Sequence, residues 1–388
     1  MLRIFDALTV AIFAYVQWRV SAGLLARARR RFSGAALSAS GAAVLLLNVV
    51  VAVGYLFSFS QFLSRFHIPP RIGMLIGAAS LSYLLLAVLV LSAQAILRWI
   101  DRRVLKVLDP GRRRVLQVAA RAAIAAPVAA LGYGTFIERH NFQVREMDIP
   151  LAGLPPGLDG LRLLQLSDIH LSAFLSEAEL AKVIDACNEL RPHLATVTGD
   201  LISSRGDPLD DCIRQIARLR SDAGTLACMG NHERYAEVED YTAETAARLG
   251  VRFLRGQHQE LRFGGSVLNV AGVDYQRSSE RKTYLQGTES LTVPGALNVM
   301  LSHNPDVFPA AVQRGYNLLL AGHTHGGQVS IEILEQSVNA ARFFTPYVYG
   351  LYRSGTAAAY VTRGIGTVGI PARLGAPPEI TLLRLGKA

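Results

Sequence analysis

Between Arg31 and Arg65 stand 33 consecutive residues without a formal charge, and between Arg71 and Arg98 another 26. About 20 apolar residues suffice to cross the hydrocarbon core of a bilayer as a helix. Lipid offers no partner to backbone N–H and C=O groups, so a helix, which pairs them internally, is the form such a run takes. The two runs predict transmembrane helices over about Leu37–Leu63 and Ile72–Ile100. The intervening Arg65–Arg71, with Pro69-Pro70, suits a tight hairpin. Two further segments are less clean: Leu2 to about Val20, broken by Asp6 and Arg19, and Val115–Ile137, broken by Arg121. Both arginines lie near segment ends, where a long side chain snorkels to the interface. An interfacial helix is the alternative for each. Spanning is the reading taken here, and it makes residues 1–137 an anchor of about four helices.

Charge divides the chain at the same place. The net charge is +10, yet residues 1–137 carry 16 Lys and Arg against 3 Asp and Glu, while residues 138–388 carry 24 against 27. The mildly acidic second part disfavours nucleic acid as a partner. The basic groups cluster beside apolar runs: Arg27, Arg29, Arg30 and Arg31 after the first segment, and Arg98, Arg102, Arg103, Lys106, Arg112, Arg113 and Arg114 after the third. The positive-inside rule assigns both clusters to the cytoplasm. The chain is then expected in the inner membrane as a multi-pass protein, with everything after the fourth segment outside the cytoplasm. Gly111-Arg112-Arg113-Arg114-Val115-Leu116-Gln117 resembles a twin-arginine export signal, although an ordinary basic flank accounts for it equally. Three cysteines, Cys187, Cys212 and Cys228, form no C-x-x-C pair and imply no disulfide framework.

From Glu138 the composition is that of a soluble domain long enough to bury its own core. Short apolar runs end in polar residues: Leu161–Leu166, Leu194–Thr198, Thr225–Met229, Val267–Val273, Ala296–Leu301 and Leu318–Ala321. Helical stretches fall between several of them. Ser176-Glu-Ala-Glu179 reads as a capping box opening a helix to about Leu190, and Asp210–Leu219 and Asp240–Leu249 have helical periodicity. This alternation predicts an α/β domain with largely parallel strands. Sites in such sheets gather beyond the carboxyl ends of the strands.

Metal-binding residue types stand there. Asp168-Ile-His170, Gly199-Asp200, Gly230-Asn231-His232-Glu233, Ser302-His303 and Gly322-His323-Thr-His325 each follow a strand-like run, and they hold five of the nine histidines. Each piece alone reads equally well as a turn or a cap. Five in order, each at a strand terminus, point to a metal site. Oxygen and imidazole donors without thiolate suit Mn, Fe, Zn or Ni ions and not a closed structural zinc.

The set resembles the signature of the calcineurin-like metallophosphoesterase superfamily. Gly322-His-Thr-His-Gly-Gly-Gln328 and the tail Thr362-Arg-Gly-Ile-Gly366, Ile370-Pro-Ala-Arg373 and Pro378-Glu-Ile-Thr381 resemble its membrane-associated bacterial branch, the YkuE/YaeI-like phosphodiesterases. The resemblance covers about residues 145–386. It implies a β-sandwich flanked by helices, with two divalent metals at one edge. Carried over residue by residue, Asp168, His170, Asp200 and His325 would hold one metal, and Asp200, Asn231, His303 and His323 the other, with Asp200 bridging. His232 would face the substrate as general acid. A hydroxide between the metals would attack a phosphodiester or pyrophosphate, and the anchor suggests a lipid or nucleotide-lipid substrate at the bilayer.

Two positions depart from the family pattern. His193 stands where relatives commonly carry Asp, and Ser203-Ser204 stand where an acidic residue often follows the Gly-Asp pair. Other candidates carry less. Gly364-Ile-Gly-Thr-Val-Gly369 matches G-x-G-x-x-G, but Pro371 follows too closely for a dinucleotide-binding helix. Arg363 and Arg373 read as surface or salt-bridge residues, with phosphate contact the alternative. Asp274 reads as a turn residue, and Phe174-Leu175 as a helix-entry staple. The competing function is a non-catalytic, membrane-bound ligand-binding module that keeps the fold. A transporter is disfavoured, because the apolar half lacks paired intramembrane acids.

Overall fold

Residues 2–59, 70–103, 110–333 and 336–388 are described by a computed structural model of the chain. They fall into two units, Met1–Tyr133 and Gly134–Ala388.

The first unit is helical: α1 (Leu2–Arg31), α2 (Gly34–Phe59), α3 (Pro70–Arg103) and most of α4 (Pro110–Phe136). Gly34–Tyr55 and Ile72–Ile100 are long and apolar enough to cross a membrane. Leu45, Leu46, Val49 and Val50 of α2 and Leu75 and Ile96 of α3 are exposed, the reverse of a water-soluble bundle. Helices without a hydrophobic drive between them associate through close packing and polar bonds. Here Ser21 Oγ donates to Asn48 Oδ1 at 3.1 Å and the Tyr83 hydroxyl to Gln17 Oε1 at 2.9 Å. α1 is longer than its sequence suggests. It continues past Val20 through Arg29, Arg30 and Arg31, whose charge complements the dipole at its last turn. α4 starts with Pro110, preset for a first helical turn, and accommodates Pro127 within it. The hairpin expected around Pro69-Pro70, and the end of the span expected to reach Leu63, lie outside the described residues.

The second unit stacks two six-stranded sheets. The first runs β1 (Gln143–Leu151), β14 (Glu379–Lys387), β2 (Arg162–Leu166), β3 (Leu194–Thr198), β4 (Thr225–Cys228), β5 (Val251–Phe253). The second runs β12 (Gly350–Ser354), β13 (Ala357–Val361), β9 (Leu318–Ala321), β8 (Leu297–Leu301), β7 (Ser266–Gly272), β6 (Gln257–Phe263). A short hairpin, β10 (Ser330–Ile333) with β11 (Gln336–Asn339), stands apart. Helices α5 (Glu177–Glu189), α6 (Leu209–Ile216), α7 (Asn231–Ala236), α8 (Glu239–Arg248) and α9 (Phe308–Gln313) complete the unit. α5 opens with the expected capping box, Ser176 and Glu179 each bonding the other's backbone N–H.

The central strands are apolar without alternation because both of their faces are covered. Leu163 of β2, Leu194 of β3 and Leu226 of β4 meet Leu297, Val299, Leu318, Leu320 and Tyr360 between the sheets. Their neighbours Leu164, Leu166, Ala195, Val197 and Ala227 turn the other way, onto Leu180, Val183, Ile184, Ile213 and Ile216 of α5 and α6. On the far side, Met300, Leu319 and Val361 join Phe308 and Ala311 of α9.

The pairing is parallel at β2–β3–β4–β5, β7–β8–β9 and β9–β13, as the alternation predicts. β14 is the exception inside the first sheet, parallel to β1 and antiparallel to β2. β1 itself is missed by the sequence reading, which starts the domain at Glu138 but its first strand only at Leu161. Its polar outer half, Gln143-Val-Arg-Glu146, is exposed, and it reads as a linker until β14 returns beside it.

Candidate metal centre

Each piece of the signature follows the carboxyl end of a parallel strand: 167–170 after β2, 199–200 after β3, 230–232 after β4, where Asn231 and His232 open α7, 302–303 after β8 and 322–325 after β9. Parallel strands end on one edge, and the two stacked sheets bring their edges together. The loops are then tied within each sheet and, through Gln165 of β2, across the sandwich. The Asp168 N–H donates to Gly199 O at 3.0 Å, Gly322 N–H to His303 O at 3.2 Å, and Gln165 Nε2 to Ala321 O at 3.0 Å. Gly364 and Gly366, which carried the G-x-G pattern, lie in the loop after β13. A Cβ on Gly366 would come within 2.2 Å of Ile169 O, so this pattern marks close backbone packing behind the site and no nucleotide loop.

The seven expected ligand residues and His232 converge around Asp200. Its Oδ2 lies 3.0 Å from His303 Nε2, 3.5 Å from His170 Nε2 and 4.0 Å from His232 Nε2. Asp168 Oδ1 lies 3.4 Å from His325 Nε2 and 3.9 Å from His303 Nε2. His170 Nε2 faces His325 Nε2, and His323 Nδ1 faces His303 Nε2, each pair at 3.2 Å. Donor atoms of Asp168, His170 and His325, and those of Asp200, His303 and His323, lie mutually within 4.8 Å. Asp168, His170, Asp200, His323 and His325 all hold positive φ, between 49° and 73°. Such backbone costs about 1–3 kcal/mol per residue and persists where the surroundings over-determine it.

The chemistry of this donor set fits a cation. Asn231 Oδ1 is buried with no hydrogen-bond partner among the described residues. An amide oxygen buried without a partner is costly, and an ion would satisfy it. Burial lowers His170 and His323 to about 3 and holds His325 well below its ordinary range, which keeps the three imidazoles neutral and their lone pairs open. Burial would raise the Asp200 carboxyl, but the His303 and His232 imidazoles beside it overturn this and hold it well below the carboxylate range. Burial likewise opposes charge on His303, yet Asp200 and Asp168 raise it to about 10. The field that would hold a proton on His303 is the field that would hold a divalent cation.

His232 differs from the rest. Its Nδ1 bonds Ser203 O at 2.6 Å, which fixes the ring and leaves Nε2 facing Asp200. Its side chain is 17% exposed, against 0% for His170 and His303 and 5% for His325.

Some residues acquire roles the sequence reading did not give them. Glu233 is fully buried and accepts the N–H groups of Asp200, Leu201 and Gly230 at 3.0, 2.6 and 2.8 Å. Its place beside His232 was the available signal. Glu233→Ala would leave three buried donors unpaired, each worth about 1–3 kcal/mol. The expected result is a loss of about 3 kcal/mol or more, read as a clear fall in the thermal unfolding midpoint of the detergent-solubilised chain. An unchanged midpoint would refute this role.

Ser203 Oγ contacts His170 Nδ1 at 3.2 Å, so the residue that departs from the family pattern still supports the site. The nearby acid is Asp207, whose Oδ2 accepts from Ser203 N and Ser204 N. Arg373 corrects the expectation. It is neither a surface nor a salt-bridge residue but is fully buried, donating to backbone carbonyls behind His325. Arg363 instead stacks its guanidinium over Tyr349, 3.9 Å from the ring centroid. Asp274 pairs with Arg255 at 2.9 Å, and His193 Nδ1 accepts from Arg162 N, away from the centre. Phe174 and Leu175 are buried, Leu175 within the core beneath α5.

Residues 161–327 match the family described as calcineurin-like phosphoesterase. The uncharacterized metallophosphoesterase YkuE of Bacillus subtilis is 30% identical over 282 residues, 71% of this chain and 97% of that protein. Phosphodiesterase YaeI of Escherichia coli is 28% identical, over 71% of this chain and 98% of that one. A transmembrane protein with metallophosphoesterase domain from Danio rerio is 30% identical over 71% of this chain, which spans 63% of its length.

Proposed function

We propose that this chain, which belongs to the calcineurin-like phosphoesterase family, is a membrane-anchored hydrolase of a phosphodiester or pyrophosphate that works with two divalent cations. The observation that carries the reading is the cluster of imidazoles and two carboxylates around Asp200, three of the imidazoles kept neutral, beside the buried Asn231 Oδ1 that has no hydrogen-bond partner among the described residues. Asp168, His170, Asp200 and His325 would hold one cation, and Asp200, Asn231, His303 and His323 the other, the metal being Mn, Fe or Zn. Bound cations supply Lewis-acid charge neutralisation at phosphoryl oxygens and acidify water.

The protein's own residues do the rest. Asp200, kept ionised by its histidines, turns Oδ2 toward both halves of the centre. His232 has Nδ1 fixed by Ser203 O, so a proton on Nε2 points into the site and passes to the leaving oxygen as the P–O bond breaks.

Two apolar spans in the same chain favour a substrate at the bilayer surface, a lipid phosphoester or nucleotide-lipid. The flanking arginine clusters favour a periplasmic catalytic unit over residues 138–388, with 1–137 as a four-helix anchor. A topology reporter fused after Glu138 and active only in the cytoplasm would reverse that orientation.

The test of function uses the full chain in micelles. Chelator is expected to abolish hydrolysis of a chromogenic phosphodiester, and Mn²⁺, Fe²⁺ or Zn²⁺ added singly to restore it. Robust activity in the metal-stripped protein would refute the reading. Turnover of soluble nucleotides with none of any lipid phosphoester would remove the lipid substrate but leave the hydrolase.

A further inference from the structure

We infer that Arg373 is a positioning residue that ties the exit of α4, at Gly134, to His325. The Asp168–His170–His325 half of the centre therefore assembles only while that exit is docked. The inference rests on the metal-centre reading above.

Arg373 is fully buried, and no ion pair to it is found among the described residues. A buried guanidinium ordinarily has a carboxylate partner. This one spends its donors on the backbone instead. Nε bonds Gly366 O at 3.0 Å, Nη1 bonds Arg363 O at 2.9 Å, His325 O at 3.0 Å and Ala376 O at 3.2 Å, and Nη2 bonds Gly364 O at 3.3 Å. Nη2 also meets His325 Nδ1 at 3.2 Å. With Nε2 as the ligating atom, Nδ1 carries the ring proton and cannot accept from a guanidinium, so the link is the bond from Nη1 to the His325 backbone carbonyl, which holds the turn that aims Nε2 toward Asp168 and His170.

The backbone of the same residue faces the other way. Arg373 N donates to Gly134 O at 3.1 Å, in the last turn of α4. A Cβ on Gly134 would come within 2.4 Å of Arg373 O, so the approach is open only to glycine. Just beyond, Glu138 is buried, and the Gly375 and Ala376 amides lie near enough to act on its carboxyl. The loop carrying Arg373 is thus held between the segment 134–138 and His325.

Among the described residues, His303 of the other half is held from a different element. His303 Nδ1 bonds Thr198 O at 2.7 Å, at the rigid end of β3. Loosening Gly134 or Arg373 should therefore cost one cation and spare the other, which a general loss of structure would not do. Groups that orient metal ligands from behind change affinity by about 10–100-fold.

The test loads full-length, chelator-stripped protein in micelles with Mn²⁺, counting bound ion and recording its electron paramagnetic resonance. Wild type is expected to hold two equivalents with the spectrum of a coupled pair. Gly134→Ala is expected to keep one equivalent with the spectrum of an isolated ion, and to bind the second about 10–100-fold more weakly. Gly132→Ala is the control two residues earlier on the same helix, where a Cβ meets nothing within 4 Å, and should match wild type. A second measurement needs no variant: Mn²⁺ should slow amide hydrogen exchange at Arg373 and across 134–140 in the wild type.

Gly134→Ala loading like Gly132→Ala, or losing both ions equally, would overturn the inference. If that variant fails to fold, exchange at Arg373 unmoved by Mn²⁺ overturns it. Wild-type protein that binds no Mn²⁺ would overturn the metal-centre reading itself, and this inference with it.

Discussion

Asp200→Asn is expected to lower kcat/KM by about 10³-fold or more and to strip at least one cation from the protein. A thousandfold corresponds to about 4 kcal/mol of lost transition-state stabilisation. The reason is position. Asp200 Oδ2 lies within 4.0 Å of His303, His170 and His232 at once, and Oδ1 accepts the His232 N–H at 2.9 Å. Asparagine keeps the shape and one acceptor but removes the charge proposed to bridge both halves. The amide also turns an N–H toward imidazoles that need an acceptor there. Metal content by elemental analysis and turnover of a phosphodiester check this together. Full metal content with wild-type turnover would remove Asp200 from the centre, and the bridging role with it.

His232→Ala should behave differently: turnover falls by about 10²–10⁴-fold while both cations stay. Its ring is 17% exposed and is fixed through Nδ1 to Ser203 O, which suits proton donation. General acid catalysis matters in proportion to how poor the leaving group is. The loss should therefore be small for a nitrophenyl ester, whose phenolate leaves unaided, and large for an alkyl ester. Equal losses on both substrates would reject proton donation, and loss of a cation would instead make His232 a ligand. The two substitutions so separate what holds the centre from what acts on the substrate.

The site was legible because its chemistry is written in short local motifs. Asp168-x-His170, Gly199-Asp200 and Gly322-His-Thr-His325 each follow a run that forms a strand, β2, β3 and β9, and parallel strands deliver their carboxyl ends to one edge. The supporting residues were not legible in the same way. Glu233 could be seen as part of a motif, but its three acceptor bonds join the loops after β3 and β4 and exist only once those strands pair. Arg373 looked like a surface charge because its partners are backbone carbonyls, which no residue type marks. Its acceptors lie at His325, Arg363, Gly364, Gly366 and Ala376.

What the sequence determined by itself was local. The uncharged runs between arginines dictate apolar helices, because no other backbone form satisfies itself in lipid. The double-faced apolar runs dictate buried strands, and Ser176 with Glu179 dictates where α5 begins. The tertiary structure decided what depends on distance in the chain. It placed β14, from the C-terminus, between β1 and β2, a pairing with no local signal in an exposed polar strand such as 143–146. It also joined Gly134 to Arg373 and Arg373 to His325. Backbone carbonyls are the same in every residue, so no residue type announces which of them a buried guanidinium will find. Only the folded loops bring those oxygens within reach.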